Sequence, residues 1–171
     1  MAVLTAPALE TAGEPSTAHK ATLVVLSGDM DKIFAAFTIA TGAAASGMET
    51  TMFFTFWGLQ AIRKQVRTGR SLFGRMLSFF LKDIDTLGPS KLNMGGMGRW
   101  MFKKMMKAHN VATLPELRRM AIDLGVRMLA CQTSLEVMEF SREDLIDEAQ
   151  EVVGVAALME LATQSKFTMF I

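Results

Sequence analysis

The run Ala21-Thr-Leu-Val-Val-Leu26 constrains this chain more than any other segment, because it is aliphatic or β-branched throughout and never alternates with charged residues. A strand that alternates can leave one side in water; this one reads as a strand buried on both faces, at the centre of a sheet. Ser27-Gly28-Asp29 breaks the run, and Asp29 suits the N-cap of a helix that passes through Ala36 to Ala45 and stops near Gly47. Thr50 to Phe56 then reads as a second strand. A β-α-β opening with the usual right-handed crossover makes the two strands parallel.

Between Ile33 and Leu59 the only charge is Glu49, so a membrane span must be weighed for this stretch. Gly42, Gly47, Glu49 and the switch to Thr- and Phe-rich composition argue instead for two buried elements, since a break and a charge near mid-span are costly in lipid.

The later sequence resumes the same grammar. Thr113-Leu-Pro-Glu116 is a capping box leading into a helix from Leu117 to Leu124, which Gly125 can end. Val126–Ala130 is the next strand, followed by Cys131 and a helical stretch, Leu135 to Phe140. Ser141 to Asp144 reads as a capped turn, Glu151–Val153 as a short strand, Val155 to Thr163 as a helix and Lys166 to Ile171 as a last strand. The expected fold class is therefore α/β: a three-layer α/β/α domain with a mainly parallel sheet of about five strands.

One domain suits 171 residues, here residues 19–171, without disulfide or metal staples. Residues 1–18, with Pro7, Gly13 and Pro15, lack the basic start and apolar core of a signal peptide and read as a disordered tail. A single cysteine cannot form an internal disulfide, which fits a reducing, cytoplasmic setting.

The α/β rhythm is interrupted from about residue 63 to 110 by a helical insertion. There, between Arg63 and Lys107, eleven Lys/Arg face only Asp83 and Asp85, whereas from Glu136 onward eight acidic residues face Arg142 and Lys166. Such polarity suits a basic surface for an anionic partner and an acidic surface elsewhere, or two solvated faces. Leu72, Phe73, Met76, Leu77, Phe79 and Phe80 share one broad helical face. After Gly88-Pro89-Ser90 and the flexible Gly95-Gly96, Met97, Trp100, Met101 and Met105 recur at helical spacing beside Arg99, Lys103 and Lys107. Three readings stand: a lid or oligomer contact, an interfacial membrane helix, and a thioether metal site. Met97, Trp100, Met101, Lys103, Met105 and Lys107 are the surface candidates.

Reactive groups in open α/β sheets collect beyond the carboxyl ends of the strands. Two places qualify, Ser27-Gly28-Asp29 and Cys131-Gln132-Thr133-Ser134, and they could face one crevice. The nucleophilic form of cysteine is the thiolate, which helix-start amides and the hydroxyls of Thr133 and Ser134 would favour. An unpaired cysteine also packs well as a small buried hydrophobe, so both roles remain open for Cys131. Neither His19 nor His109 is placed by sequence beside it, which argues against a Cys/His hydrolase. Walker and GxGxxG motifs and metal-spaced Cys/His clusters are missing from the sequence, and nothing beyond the basic insertion points to nucleic acid.

Four strings carry a resemblance to a known family: Ser27-Gly28-Asp29-Met30-Asp31-Lys32, Met52-Phe-Phe-Thr-Phe-Trp-Gly58-Leu59, Lys91-Leu-Asn-Met-Gly-Gly-Met97-Gly98, and Leu129-Ala-Cys131. In that order they resemble the DsrE/DsrF-like sulfur-relay family, in its longer branch with a hydrophobic, Met-rich insertion, over about Lys20 to Ile171. The resemblance implies a persulfide on Cys131, exchanged with rhodanese-like or Tus-type carrier proteins, with no cofactor. It also implies a homo-oligomer or hetero-oligomer. Gly28, Asp29, Gln132, Thr133 and Ser134 are then candidates for the pocket around the thiol. The competing class is a non-enzymatic module that uses the insertion to bind a partner or a membrane surface.

Overall fold

The computed structural model describes residues 19–64, 71–149 and 151–171. The expected tail, residues 1–18, lies outside them, as do residues 65–70 of the insertion. Five strands, β1 (Lys20–Val25), β2 (Glu49–Phe54), β3 (Arg127–Cys131), β4 (Glu151–Val153) and β5 (Phe167–Phe170), form one sheet in the order β4-β3-β2-β1-β5. Every pairing is parallel. The unalternating strand thus lies inside the sheet between β2 and β5, as its pattern required.

Strand alternation divides the sheet into two faces. Leu23, Val25, Met52, Phe54, Met128 and Ala130 join the main core with α1 (Met30–Ala45) and the helix Leu114–Asp123. Phe37 of α1 stacks obliquely on Phe54, with ring centroids 6.1 Å apart, and both are fully buried. Burying a side chain of that size contributes roughly 2–3 kcal/mol. On the opposite face Val24, Phe53, Leu129, Cys131 and Val153 pack with Leu158 and Leu161 of the helix Val155–Gln164. The layers are helix, sheet, helix.

The remaining helices complete the numbering: α2 (Leu72–Phe80), α3 (Met97–Ala108), α4 (Leu114–Asp123), α5 (Gln132–Val137) and α6 (Val155–Gln164). At the start of α4 the Thr113 N–H and hydroxyl both donate to the Glu116 carboxylate, at 2.7 and 2.8 Å, which ties off the first turn. The helix ends before Gly125, whose φ of +73° is cheap only for glycine.

Two boundaries differ from expectation. β2 stops at Phe54, not Phe56: Thr55 still donates to Val25 O at 3.0 Å, but Phe56, at φ +44°, turns the chain into a 3-10 segment, Phe56–Ala61. There Gly58 is required by close approach, because a Cβ would lie 2.1 Å from the Val25 carbonyl oxygen. The helix after β3 begins at once at Gln132 and ends at Val137, where Leu135 to Phe140 was expected. Cys131 is therefore itself the N-cap residue.

Asp29 occupies the N-cap position of α1, yet its side chain does not cap. Its carboxylate accepts from Ser27 Oγ at 3.0 Å and Lys32 Nζ at 2.9 Å, while the Met30 amide donates to Gly88 O at 2.8 Å. Ser90 completes this anchor by donating from N and Oγ to the Asp31 carboxylate at 2.8 and 2.7 Å. The insertion is pinned to the start of α1 through residues 88–90. Among the described residues no helix is long and apolar enough to cross a membrane.

Candidate thiol site

Parallel strands end together, and this places the thiol. Phe54 pairs with Ala130 and Cys131 with Val153, so the residue after β2, Thr55, lies alongside Cys131. From the other side α5 folds back so that Ser134, completely buried, reaches the same spot. Thr55 Oγ1 and Ser134 Oγ are 2.8 Å apart. Cys131 is half-buried: its body packs in the second core cluster, and part of its surface is open.

Burial acts first on this thiol and would raise its pKa. Against it stand the Ser134 hydroxyl and amide, the Thr55 hydroxyl and the Thr133 amide, donors grouped about the sulfur that together outweigh burial and hold Cys131 below the ordinary thiol range. The two hydroxyls have one proton each and three contacts to make, two to sulfur and one to each other. In the thiolate state one arrangement is a relay, with one hydroxyl donating to sulfur and accepting from its neighbour. Such a site favours a sulfur anion on a cysteine that a second molecule can reach.

Of the residues singled out in the sequence, Thr133 and Ser134 meet Cys131. Gln132 turns aside, donating from Nε2 to Glu136 Oε1 at 3.0 Å. Ser27, Gly28 and Asp29 line a separate crevice of about 600 Å³ with Lys32, Trp57 and Asn93, and Cys131 is not on its wall. Among the described residues this crevice is walled by the 3-10 segment and the insertion, and it does not join Ser27-Gly28-Asp29 to the thiol. His19 sits at the opposite, amino edge of the sheet, where its carbonyl accepts from Glu49 N at 3.0 Å. His109 is exposed at the end of α3.

Thr55 was missed by sequence reasoning. Its signal lay in the end of the Met52–Phe54 run, but using that signal requires knowing that β2 is the neighbour of β3.

The insertion also departs from simple packing. Met97, Trp100, Met101 and Met105 are all exposed, and so are Leu72, Met76, Phe79 and Phe80. The side chains of Phe73 and Leu77 lie outside the described residues. Lys103 turns back to donate to Asp85 O at 2.7 Å, and together with Lys107 it lines a cavity of about 880 Å³ between α3 and α4.

Comparison with known proteins agrees with the fold and with the family that the sequence resembles. The chain is 40% identical over 158 residues to the uncharacterized protein YrkE of Bacillus subtilis, covering 89% of this chain and 96% of that one. It is 32% identical over 156 residues to the sulfur carrier protein DsrE2 of Allochromatium vinosum, covering 89% and 98%. The crystal structure of the YchN protein from E. coli superposes with a TM-score of 0.54 at 11% identity, over 89% of this chain and 99% of that one, a likeness of fold. The profile of the DsrE/DsrF/DrsH-like family matches residues 17–170, and the chain belongs to that family.

Proposed function

We propose that the protein is a sulfur carrier that holds a persulfide on Cys131 and passes it between partner proteins of a sulfur-relay or sulfur-oxidation pathway. The observation that carries this reading is the ring of four donors around a half-buried thiol at the carboxyl edge of the sheet. Membership of a DsrE-like family and the name of the DsrE2 relative support it.

The chemistry balances without a cofactor. The Cys131 thiolate attacks the outer sulfur of a donor persulfide, R–S–SH; the donor S–S bond breaks, a new one forms on Cys131, and R–S⁻ leaves with the electron pair. The same exchange in reverse delivers the outer sulfur to an acceptor thiolate. Donor and acceptor in this reading are rhodanese-like or Tus-type proteins in the cytoplasm. Because the chain has one cysteine, release cannot occur by internal disulfide formation and requires a second molecule. A homo-oligomer belongs to the same reading, with Val155, Met159 and Phe170, exposed on α6 and β5, as its contact surface.

The test is mass spectrometry of the intact chain after incubation with a persulfide donor. Wild type should gain the mass of one sulfur, on the peptide containing Cys131, and lose it to an added thiol. Cys131→Ser should gain none. An unmodified wild-type thiol, or equal loading of Cys131→Ser, would sink the proposal.

A further inference from the structure

A helix lying on a globular domain normally turns its apolar stripe toward the core. The two helices of the insertion each leave an apolar stripe in solvent. In α2, Leu72, Met76 and Phe79 occupy one stripe and face solvent, with Leu72 81% and Phe79 71% exposed, while Gly74 takes the buried side. In α3 the outward stripe is Met97, Trp100 and Met101, with Trp100 63% exposed, while Gly98 is buried and Phe102 packs against the main core.

Both stripes are edged with positive charge. Arg75 lies beside the apolar residues of α2, and Lys104 Nζ sits 5.2 Å from the centroid of the Trp100 ring. Among the described residues, none of Arg75, Lys82, Lys91, Lys104 and Lys107 makes an ion pair.

We propose that this outward face of the insertion docks on the surface of an anionic phospholipid bilayer, with α2 and α3 lying among the headgroups. Apolar side chains and a tryptophan would enter the acyl boundary while the lysines and arginine meet lipid phosphate, the pattern expected of interfacial helices. Length excludes spanning. Nine and twelve residues give about 14 and 18 Å of helix, against a hydrocarbon core of about 30 Å.

Charge also decides between lipid and a second copy of this chain. An isologous contact through the face would set its unpaired cations against their own images, whereas an anionic surface complements them. The acidic residues from Glu136 onward lie outside the insertion, so the chain has a charge gradient that orients it toward such a surface.

The experiment is vesicle flotation of the full chain. Vesicles are phosphatidylcholine alone, or phosphatidylcholine with one part in three phosphatidylglycerol. The protein should rise with the anionic vesicles at low salt and be released at about 0.5 M NaCl, where screening shortens to a few ångströms. It should not rise with phosphatidylcholine alone. Lys104→Gln with Lys107→Gln should weaken binding roughly twenty- to thirtyfold, taking about fivefold for each cation removed. Trp100→Glu should abolish it.

All three positions are exposed, so circular dichroism and the alkylation rate of Cys131 should match wild type. Should Trp100→Glu fail that check, the lysine pair still decides. Absence of flotation at low salt, or equal flotation with both vesicle types, would overturn the proposal. So would a Trp100→Glu chain that still floats but loses a self-assembly of the wild type.

Discussion

Replacing Ser134 by alanine removes one of the two hydroxyls that donate to Cys131 and leaves the Ser134 and Thr133 amides in place. A hydrogen bond to a charged group contributes about 1.5–3 kcal/mol, and sulfur is a weaker acceptor than oxygen, so about 1–1.4 kcal/mol is a reasonable loss. Well below the midpoint of titration the thiolate fraction then falls roughly five- to tenfold. The remaining thiolate is also more basic and more nucleophilic. With a Brønsted slope of about 0.4–0.5, its intrinsic reactivity rises roughly two- to threefold. The two effects oppose each other below the midpoint and separate above it. Alkylation by iodoacetamide, followed across pH, should therefore give two curves that cross: Ser134→Ala slower by about threefold at low pH, faster by two- to threefold on the alkaline plateau. Thr55→Val should behave alike but more weakly, since Ser134 is then free to give its only proton to sulfur. A Ser134→Ala profile with the wild-type midpoint, or one lowered by the same factor at every pH, would refute the reasoning that these hydroxyls stabilise the thiolate.

Three further outcomes follow from the fold. Gly58→Ala should cost about 3 kcal/mol, because its Cβ would meet the Val25 carbonyl at 2.1 Å and neither strand end can yield freely; thermal unfolding should fall by roughly 6–12 °C. Phe54→Ala, which empties a fully buried position against Phe37, should cost about 3–5 kcal/mol in urea unfolding. The clasp between Asp31 and Ser90 should loosen in acid. Burial opposes ionisation of Asp31, but the Ser90 hydroxyl and amide, its own amide and Lys32 hold its pKa below the ordinary value. A lowered folded pKa means that the contribution is present above the ordinary carboxylate range and is lost as pH falls through the folded value. Hydrogen exchange at the Ser90 amide should accelerate over that acid range in wild type and change less in Asp31→Asn; equal acceleration in both would show that the clasp does not depend on this carboxylate.

What could be read from sequence and what could not divide along a physical line. The sheet was legible because local patterns determine it: a run without alternation must lie inside, and Thr113 with Glu116, Gly125 and the breaks at Ser27-Gly28 fix the helix ends almost residue by residue. Even so, Phe56 belonged to the pattern of β2 and not to the strand: at φ +44° it turns the chain, and Gly58 then passes so close to the Val25 carbonyl that no side chain fits there. The thiol's address was legible for the same local reason, since Cys131 ends an apolar run. Its chemistry was only half legible. Ser134 is three residues away and visible in any window, but Thr55 is brought in by strand order, information that no local window contains. The insertion marks the limit of such patterns: the spacing of Met97, Trp100 and Met101 correctly marks a helix face, yet periodicity cannot say whether that face meets the protein's own core or something outside it. Gly98 carries the missing information. Its Cβ would lie 2.1 Å from Leu92 O, so the glycine marks where α3 is pressed against the chain; Phe102, one turn on and packed against the core, shares that inner face, and Trp100, about 160° round the helix from Gly98, is turned away. In α3 the glycine and Phe102 together mark the inner face, and the side that carries Trp100 and Lys104 is the one left for a partner.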